Sequence, residues 1–240
     1  MRHHPAPKFK RVSMDIESNA RIVQGTTRFK LRSLEETGVF QVPVIEATNE
    51  TLKGYGTLCS DFENETVEIV TWPQSGWRAV LEGTGNEGGV TEGEFHMEWR
   101  GDTVHTFNHA VGRGYITGWS TDPCQASSVR QTSPRDCIYV FEANYHPDGG
   151  QIFLAKNKTP FIALLALPGD DIVPEDFIAF YCDGKSGLNI HPGVWHAPVF
   201  PCQDKEIFLD RQGKVHACVP CNFVTEFGVY LKIPLTIINR

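Results

Sequence analysis

The sequence has no long apolar run. Its longest, Phe161 to Pro168, is eight residues, against the ~20 that a membrane-spanning helix needs. A helical membrane span is therefore excluded. Positive charge is also scarce. Against 29 Asp and Glu stand 22 Lys and Arg, a formal net charge of −7. Phosphate binding needs a basic footprint, so nucleic acid is excluded as a partner. Long runs of Ala, Glu, Lys and Leu are missing, which excludes a coiled coil. The start, Met1-Arg-His-His-Pro-Ala-Pro-Lys-Phe-Lys, is basic without the apolar stretch of a signal peptide. Seven cysteines, an odd number in a chain of this length, do not make a disulfide scaffold. Together these predict a reducing, cytoplasmic location. No Gly-x-Ser-x-Gly elbow occurs, and the Gly-rich stretch Gly83-Thr-Gly-Asn-Glu-Gly carries acids and no Lys for a phosphate.

What is present suits a turn-rich β protein. Gly and Pro make up 37 of 240 residues (22 and 15), and 40% of the chain is hydrophobic, enough to bury a core. Length alone allows one large domain or two small ones. Short β-prone runs crowd the chain from Glu94 onward. Glu94–Trp99 and Thr103–Asn108 alternate about an Arg100-Gly-Asp turn and predict a hairpin. Further strands are predicted at 41–46, 67–71, 114–119, 137–143, 151–155, 160–166, 177–181, 195–198, 205–210 and 229–233. Spacings of 8–15 residues argue a barrel or sandwich, with barrel preferred. Thr48 to Lys53 reads as a short helix with Thr48 as N-cap and Thr51 at the reach-back position, ended by Gly54-Tyr-Gly. Pro174-Glu-Asp reads as a single turn. Leu81 to Gly93 reads as a mobile loop. Residues 1–38 are polar and look like an extension that adds one strand, Arg21 to Gln24, to the core.

Two stretches concentrate chemistry. In Asn189-Ile-His-Pro-Gly-Val-Trp-His-Ala-Pro, His191 and His196 flank a Pro-Gly turn. In Glu142-Ala-Asn-Tyr-His-Pro-Asp-Gly-Gly-Gln, Asn144 and His146 are two apart, hence on one face of a strand. Gln151 returns on the next strand. Imidazoles and oxygen donors converging inside a barrel make a divalent-metal site; the alternative is hydrogen bonding in turns at the barrel mouth. His105 and His109 share a strand face, where hairpin hydrogen bonding is preferred over a second metal site. His216-Ala-Cys-Val-Pro-Cys, with Cys218 and Cys221, starts like a zinc knuckle, but only Cys202 is near as a fourth ligand.

The spacing Asn144-x-His146-x4-Gln151, followed by Gly193-x-x-His196, resembles the two motifs of cupin barrels. Asn144 and Gln151 are neutral amides where those motifs usually carry His and Glu. One branch is closer. Glu142-x3-His146-Pro-x-Gly-x-Gln151-x-Phe and Gly187-x-Asn189-x-His191-x-Gly-Val-Trp-His196-x-Pro resemble the ureidoglycolate lyase family. Leu167-Pro-Gly-Asp-Asp, Asn49 to Gly56 and Phe95 to Val111 resemble further parts of it, so the likeness covers about residues 41–235. It implies a mainly β, cupin-type antiparallel barrel: an extension at 1–38, then one domain over 39–240 with a loop-rich insert near 63–94. The implied reaction is elimination of urea from ureidoglycolate to give glyoxylate. Asn144, His146, Gln151 and His196 would line a divalent metal (Ni, Mn or Zn). His191, His196 and Glu142 would form the catalytic set, with His191 as acid/base and Glu142 orienting His146. The substrate is a small anion, so local donors are needed. Lys185, just before the second motif, is best placed; Lys156, Lys158 and Arg113 are further candidates. Asn189 would hold the loop or bind the substrate. The resemblance also implies a homodimer. Two other readings stay open: a cupin lyase or isomerase for another small hydroxy or amino acid, and a non-catalytic cupin that binds a small carboxylate.

Overall fold

A computed structural model describes residues 22–24, 28–85 and 87–235. Much of the expected extension, including Arg21 of its strand, lies outside the described residues. Ile22–Gln24 pairs antiparallel with Arg28–Lys30 in a two-stranded sheet of its own.

Two larger sheets carry the rest of the described β-structure. A ten-stranded sheet runs from Gly38–Gln41 through Val229–Pro234, Cys137–Val140, Arg113–Trp119, Thr103–Asn108, Glu87–Arg100, Lys205–Val215, Gln151–Ala155 and Gly187–Ile190 to Gly56–Cys59. A seven-stranded sheet runs from Val219–Asn222 through Glu142–Tyr145, Trp195–His196, Phe161–Ala166 and Ile178–Cys182 to Val44–Glu46, with Phe200–Pro201 also paired to Phe161–Ala166. Alternation decides which side chains point inward. Phe95, Met97 and Trp99 are buried while Glu98 and Arg100 face out. Phe161–Ala166 is buried throughout, as its unbroken apolar sequence requires.

One apolar cluster draws side chains from both sheets. Phe153 meets Phe95 edge-on at 5.3 Å and Phe208 at 6.3 Å. Phe208 in turn meets Phe161 of the other sheet at 5.2 Å. The fold is thus mainly β, with two sheets sharing a core. No helix among the described residues is long and apolar enough to cross a membrane.

Several predicted elements differ from those observed. The run 41–46 is split. Gly38–Gln41 lies in one sheet and Val44–Glu46 in the other, and the change falls at Pro43, which has no N–H for a ladder. Cys137–Ala143 likewise divides at Phe141 into strands of different sheets. At 48–53 the reciprocal Thr48–Thr51 hydrogen bonds form (2.8 and 3.1 Å), but the segment stays a series of turns, with Gly54 at φ 90. Residues 67–71 form no strand; only Ile69 bridges, to Gly149. The predicted loop 81–93 gives way at Glu87 to a strand that pairs with the long partner Lys205–Val215. A short helix, Phe223–Glu226, escapes the sequence reading. Asn222 caps it by accepting from the Thr225 N–H at 2.9 Å. The hairpin and the Pro174–Asp176 turn stand where predicted. At the hairpin turn Gly101 has φ 56, and a Cβ there would lie 2.3 Å from the Ser127 carbonyl oxygen, so only glycine fits.

Candidate functional site

The two motif stretches meet because their strands pair. Asn144 stands opposite His196 in the Glu142–Tyr145 to Trp195–His196 ladder. His146, two residues beyond Asn144, brings its ring to 5.1 Å from that of His196. A third ring, His216, packs edge-on against His146 at 4.2 Å. Gly213 makes room for it: a Cβ there would sit 2.8 Å from His216 Cδ2.

Hydrogen bonds fix two of the tautomers. His146 Nδ1 lies 2.9 Å from the Ala217 carbonyl, and His196 Nδ1 lies 2.9 Å from the Val194 carbonyl. A carbonyl only accepts, so each Nδ1 carries the proton and each Nε2 keeps its lone pair. Burial holds all three rings neutral. It pushes His146 well below its usual value, with His216 beside it adding to the effect. It pushes His196 down to about 3, with His146 adding, and His216 to about 3, with His196 adding. Both ring nitrogens of His216 are buried without a hydrogen-bond partner among the described residues.

A second polar group lies on the facing sheet. The Gln151 amide N–H donates to Asp210 Oδ1 at 2.7 Å and to Gln212 Oε1 at 2.9 Å. Asn108 Nδ2 donates to the same Gln212 oxygen at 3.2 Å. These residues share the face of Phe153 and Phe208, because 151/153 and 208/210/212 alternate inward on paired strands. Asp210 is fully buried, and its Oδ2 has no partner among the described residues. Burial lifts its acid to about 7, against the opposing hydrogen bonds from Gln151 and Asn108. Burial also raises the Tyr115 hydroxyl, and the charges of Asp210 and Glu142 add to that rise.

The sequence-predicted residues separate into two sets. Glu142, Gln151 and His196 are buried and Asn144 and His146 half-buried, with Gln151 on the ten-stranded sheet and Glu142, Asn144 and His196 on the seven-stranded one. The others lie elsewhere. His191 is half-buried on the turn before Trp195; its N–H donates to the Tyr55 carbonyl (3.0 Å), and the ring contacts joining His146 to its neighbours do not extend to it. Asn189 alternates with Ile190 and faces the other side of its sheet, where it donates to Glu65 Oε1 (3.3 Å) and the Thr66 carbonyl (3.1 Å). Lys185 is highly exposed and paired with Asp183 at 3.0 Å. Lys156 is exposed, paired with Glu94, at the far end of its strand from Gln151. Sequence reasoning missed Asp210, Gln212, Asn108 and the placement of His216. A signal existed for two of them: Asp210 and Gln212 are alternate polar residues in a β-prone run.

Of the expected metal ligands, Gln151 is turned to Asp210 and Gln212. Among the described residues no group of three or more His, Cys, Asp or Glu side chains is placed to hold a metal ion. The same holds for the Cys218–Cys221 stretch. Tyr145 and Pro147, the chain neighbours of His146, help to line a cleft of about 820 Å³, bounded by residues 69–80, 84–85 and 87–89 on one side and by Tyr145, Pro147, Asp148, Gly213, Ala217 and Val219 on the other.

Comparison with known proteins points one way. A family model described as ureidoglycolate lyase matches residues 103–229. A ureidoglycolate lyase of Azotobacter vinelandii is 40% identical over 120 residues, 43% of this chain and 72% of the relative. One of Pseudomonas aeruginosa is 40% identical over 83 residues, 34% of this chain and 48% of the relative. One of Stutzerimonas stutzeri is 40% identical over 75 residues, 30% of this chain and 44% of the relative. The match spans about half the length of the Pseudomonas aeruginosa and Stutzerimonas stutzeri relatives.

Proposed function

The chain belongs to the ureidoglycolate lyase family, and on that premise we propose that it cleaves ureidoglycolate into urea and glyoxylate. One observation carries this reading: within the matched residues, His146 and His196 meet as buried, neutral imidazoles with defined tautomers. The reaction is an elimination. The hydroxyl loses its proton and its C–O bond becomes a carbonyl. The C–N bond breaks, and its electron pair leaves with the ureido nitrogen, which takes a proton to become urea. No net proton is consumed, so one group can accept from oxygen and return to nitrogen. The lone pair on Nε2 of His146 or His196 can accept. Burial disfavours the imidazolium so formed, which makes it a ready donor to the leaving nitrogen.

His191 sits half-buried on the turn whose Gly193 N–H donates to the His146 carbonyl at 2.9 Å. That position suits exchange of protons with solvent. The same reading takes the two sheets as a cupin barrel, the substrate as a small anion, and the molecule as a cytoplasmic homodimer. Light scattering on the purified protein tests the last point.

The function is tested with racemic ureidoglycolate, with and without added Ni2+, Mn2+ or Zn2+. Glyoxylate is expected from the wild type, and His196→Ala is expected to lose about 100-fold or more in kcat, the scale of general acid–base catalysis. No glyoxylate under any condition overturns the reading. An unchanged rate in His196→Ala overturns the site.

A further inference from the structure

Residues 69–80 fall in the expected insert and outside the family-matched residues 103–229. They form a strap held at both ends. At one end the Val70 N–H donates to the Asp148 carbonyl (3.0 Å) and the Gly150 N–H to the Glu68 carbonyl (2.9 Å). At the other end the Arg78 guanidinium makes paired bonds to the Glu226 carboxylate (3.0 and 2.8 Å) and a bond to the Asp170 carbonyl (2.8 Å). The Arg78 N–H donates to Asp170 Oδ2 (2.7 Å), and Trp77 Nε1 donates to Asp171 Oδ1 (2.9 Å).

Between these anchors stands Trp72, 95% exposed and at φ 59. An aromatic residue in the left-handed region carries strain, and an indole left in water gains nothing from burial to offset it. The strap is one wall of the 820 Å³ cleft. The facing wall includes Tyr145, Pro147, Asp148 and Ala217.

We propose that Trp72 is a specificity-determining residue whose indole face receives the planar ureido group of the ligand in this cleft. A urea group is flat and neutral, so it stacks on an aromatic face. Its N–H and C=O edges stay available to polar residues that line the cleft, such as Asp148 and Thr84. This inference rests on the reading of the ligand as a ureido acid, and its test uses binding rather than turnover.

Two ligands are titrated calorimetrically into the wild type, Trp72→Ala and Trp72→Phe. Ureidoacetate lacks the hydroxyl and cannot eliminate; glycolate lacks the ureido group. Trp72→Ala is expected to weaken ureidoacetate about five-fold or more, to leave glycolate unchanged, and to be largely rescued by Trp72→Phe. A glycolate affinity too weak to measure in the wild type is the limiting case of that pattern. Equal ureidoacetate affinity in wild type and Trp72→Ala overturns the proposal. So does equal weakening of both ligands, or no binding of ureidoacetate to the wild type. If the pattern holds and ureidoglycolate is not cleaved, the activity falls and this assignment stands. Cleavage with binding independent of Trp72 gives the reverse.

Discussion

Asp210 is a carboxyl group shut away from water with one oxygen unpartnered among the described residues. Its folded acid lies near 7, against a usual 3.8. Between those values the folded state holds a proton that the unfolded state has lost, so stability falls as pH rises through this window and stays lowered above it. About three pH units at ~1.4 kcal/mol each set an upper scale of about 4 kcal/mol. Asp210→Asn keeps an oxygen for the Gln151 amide and removes the titration. In urea unfolding the variant is expected to gain on the wild type by roughly 1–4 kcal/mol between pH 5 and pH 8; a difference that does not change with pH contradicts the assignment. The histidines act on the acid side. Each folded value lies below 6.5, so their contribution is present above about 6.5 and is lost as pH falls toward 3. His216 adds a cost of its own, because a buried polar atom without a partner costs about 1–3 kcal/mol. His216→Leu is therefore expected to raise stability by about that amount in urea unfolding; a less stable variant contradicts this. At this scale, what was legible in the sequence was local. Asn144 and His146 share a face by alternation, and the Pro-Gly turn placed His196 on the strand that follows. Asp210 joins Gln151 only through pairing between strands some sixty residues apart, which no spacing rule reveals.

The strap 69–80 is the element that the sequence described least well. Its run of Val, Glu, Ile and Val at 67–70 alternates like a strand, yet it has no open ladder to join and bridges at Ile69 alone. What holds it is Arg78, nearly buried, with its guanidinium 4.7 Å from the Trp77 ring and 5.4 Å from the Trp195 ring. Arg78→Met keeps the apolar stem and removes the guanidinium bonds to Glu226 and to the Asp170 carbonyl, leaving the backbone bond to Asp170 Oδ2. Limited proteolysis is expected to cut this variant within 71–80 several-fold faster than the wild type, with global unfolding little changed. Equal cutting rates contradict the anchor. Strands with strong alternation, such as the 94–108 hairpin, were legible because each buries one face. Breaks such as Pro43 were less so, since a proline marks where a ladder must stop but not that the chain changes sheets there.

For the whole molecule, the β class followed from turn content and alternation, whereas the order of strands in the two sheets did not. The sheets are tied by aromatic contacts running Phe95–Phe153–Phe208–Phe161. Phe153→Ala is expected to cost about 3–5 kcal/mol and to shift one shared transition rather than split it, as read by unfolding followed with two probes. Two separated transitions contradict a common core. The same two sheets hold the two polar groups, His146 with His196 and Gln151 with Asp210. The most direct test of the central claim is the product balance from ureidoglycolate. Glyoxylate and urea are quantified together over a time course with purified protein. The elimination predicts equal amounts of the two throughout. Ammonia in place of urea, or no release of either, contradicts it.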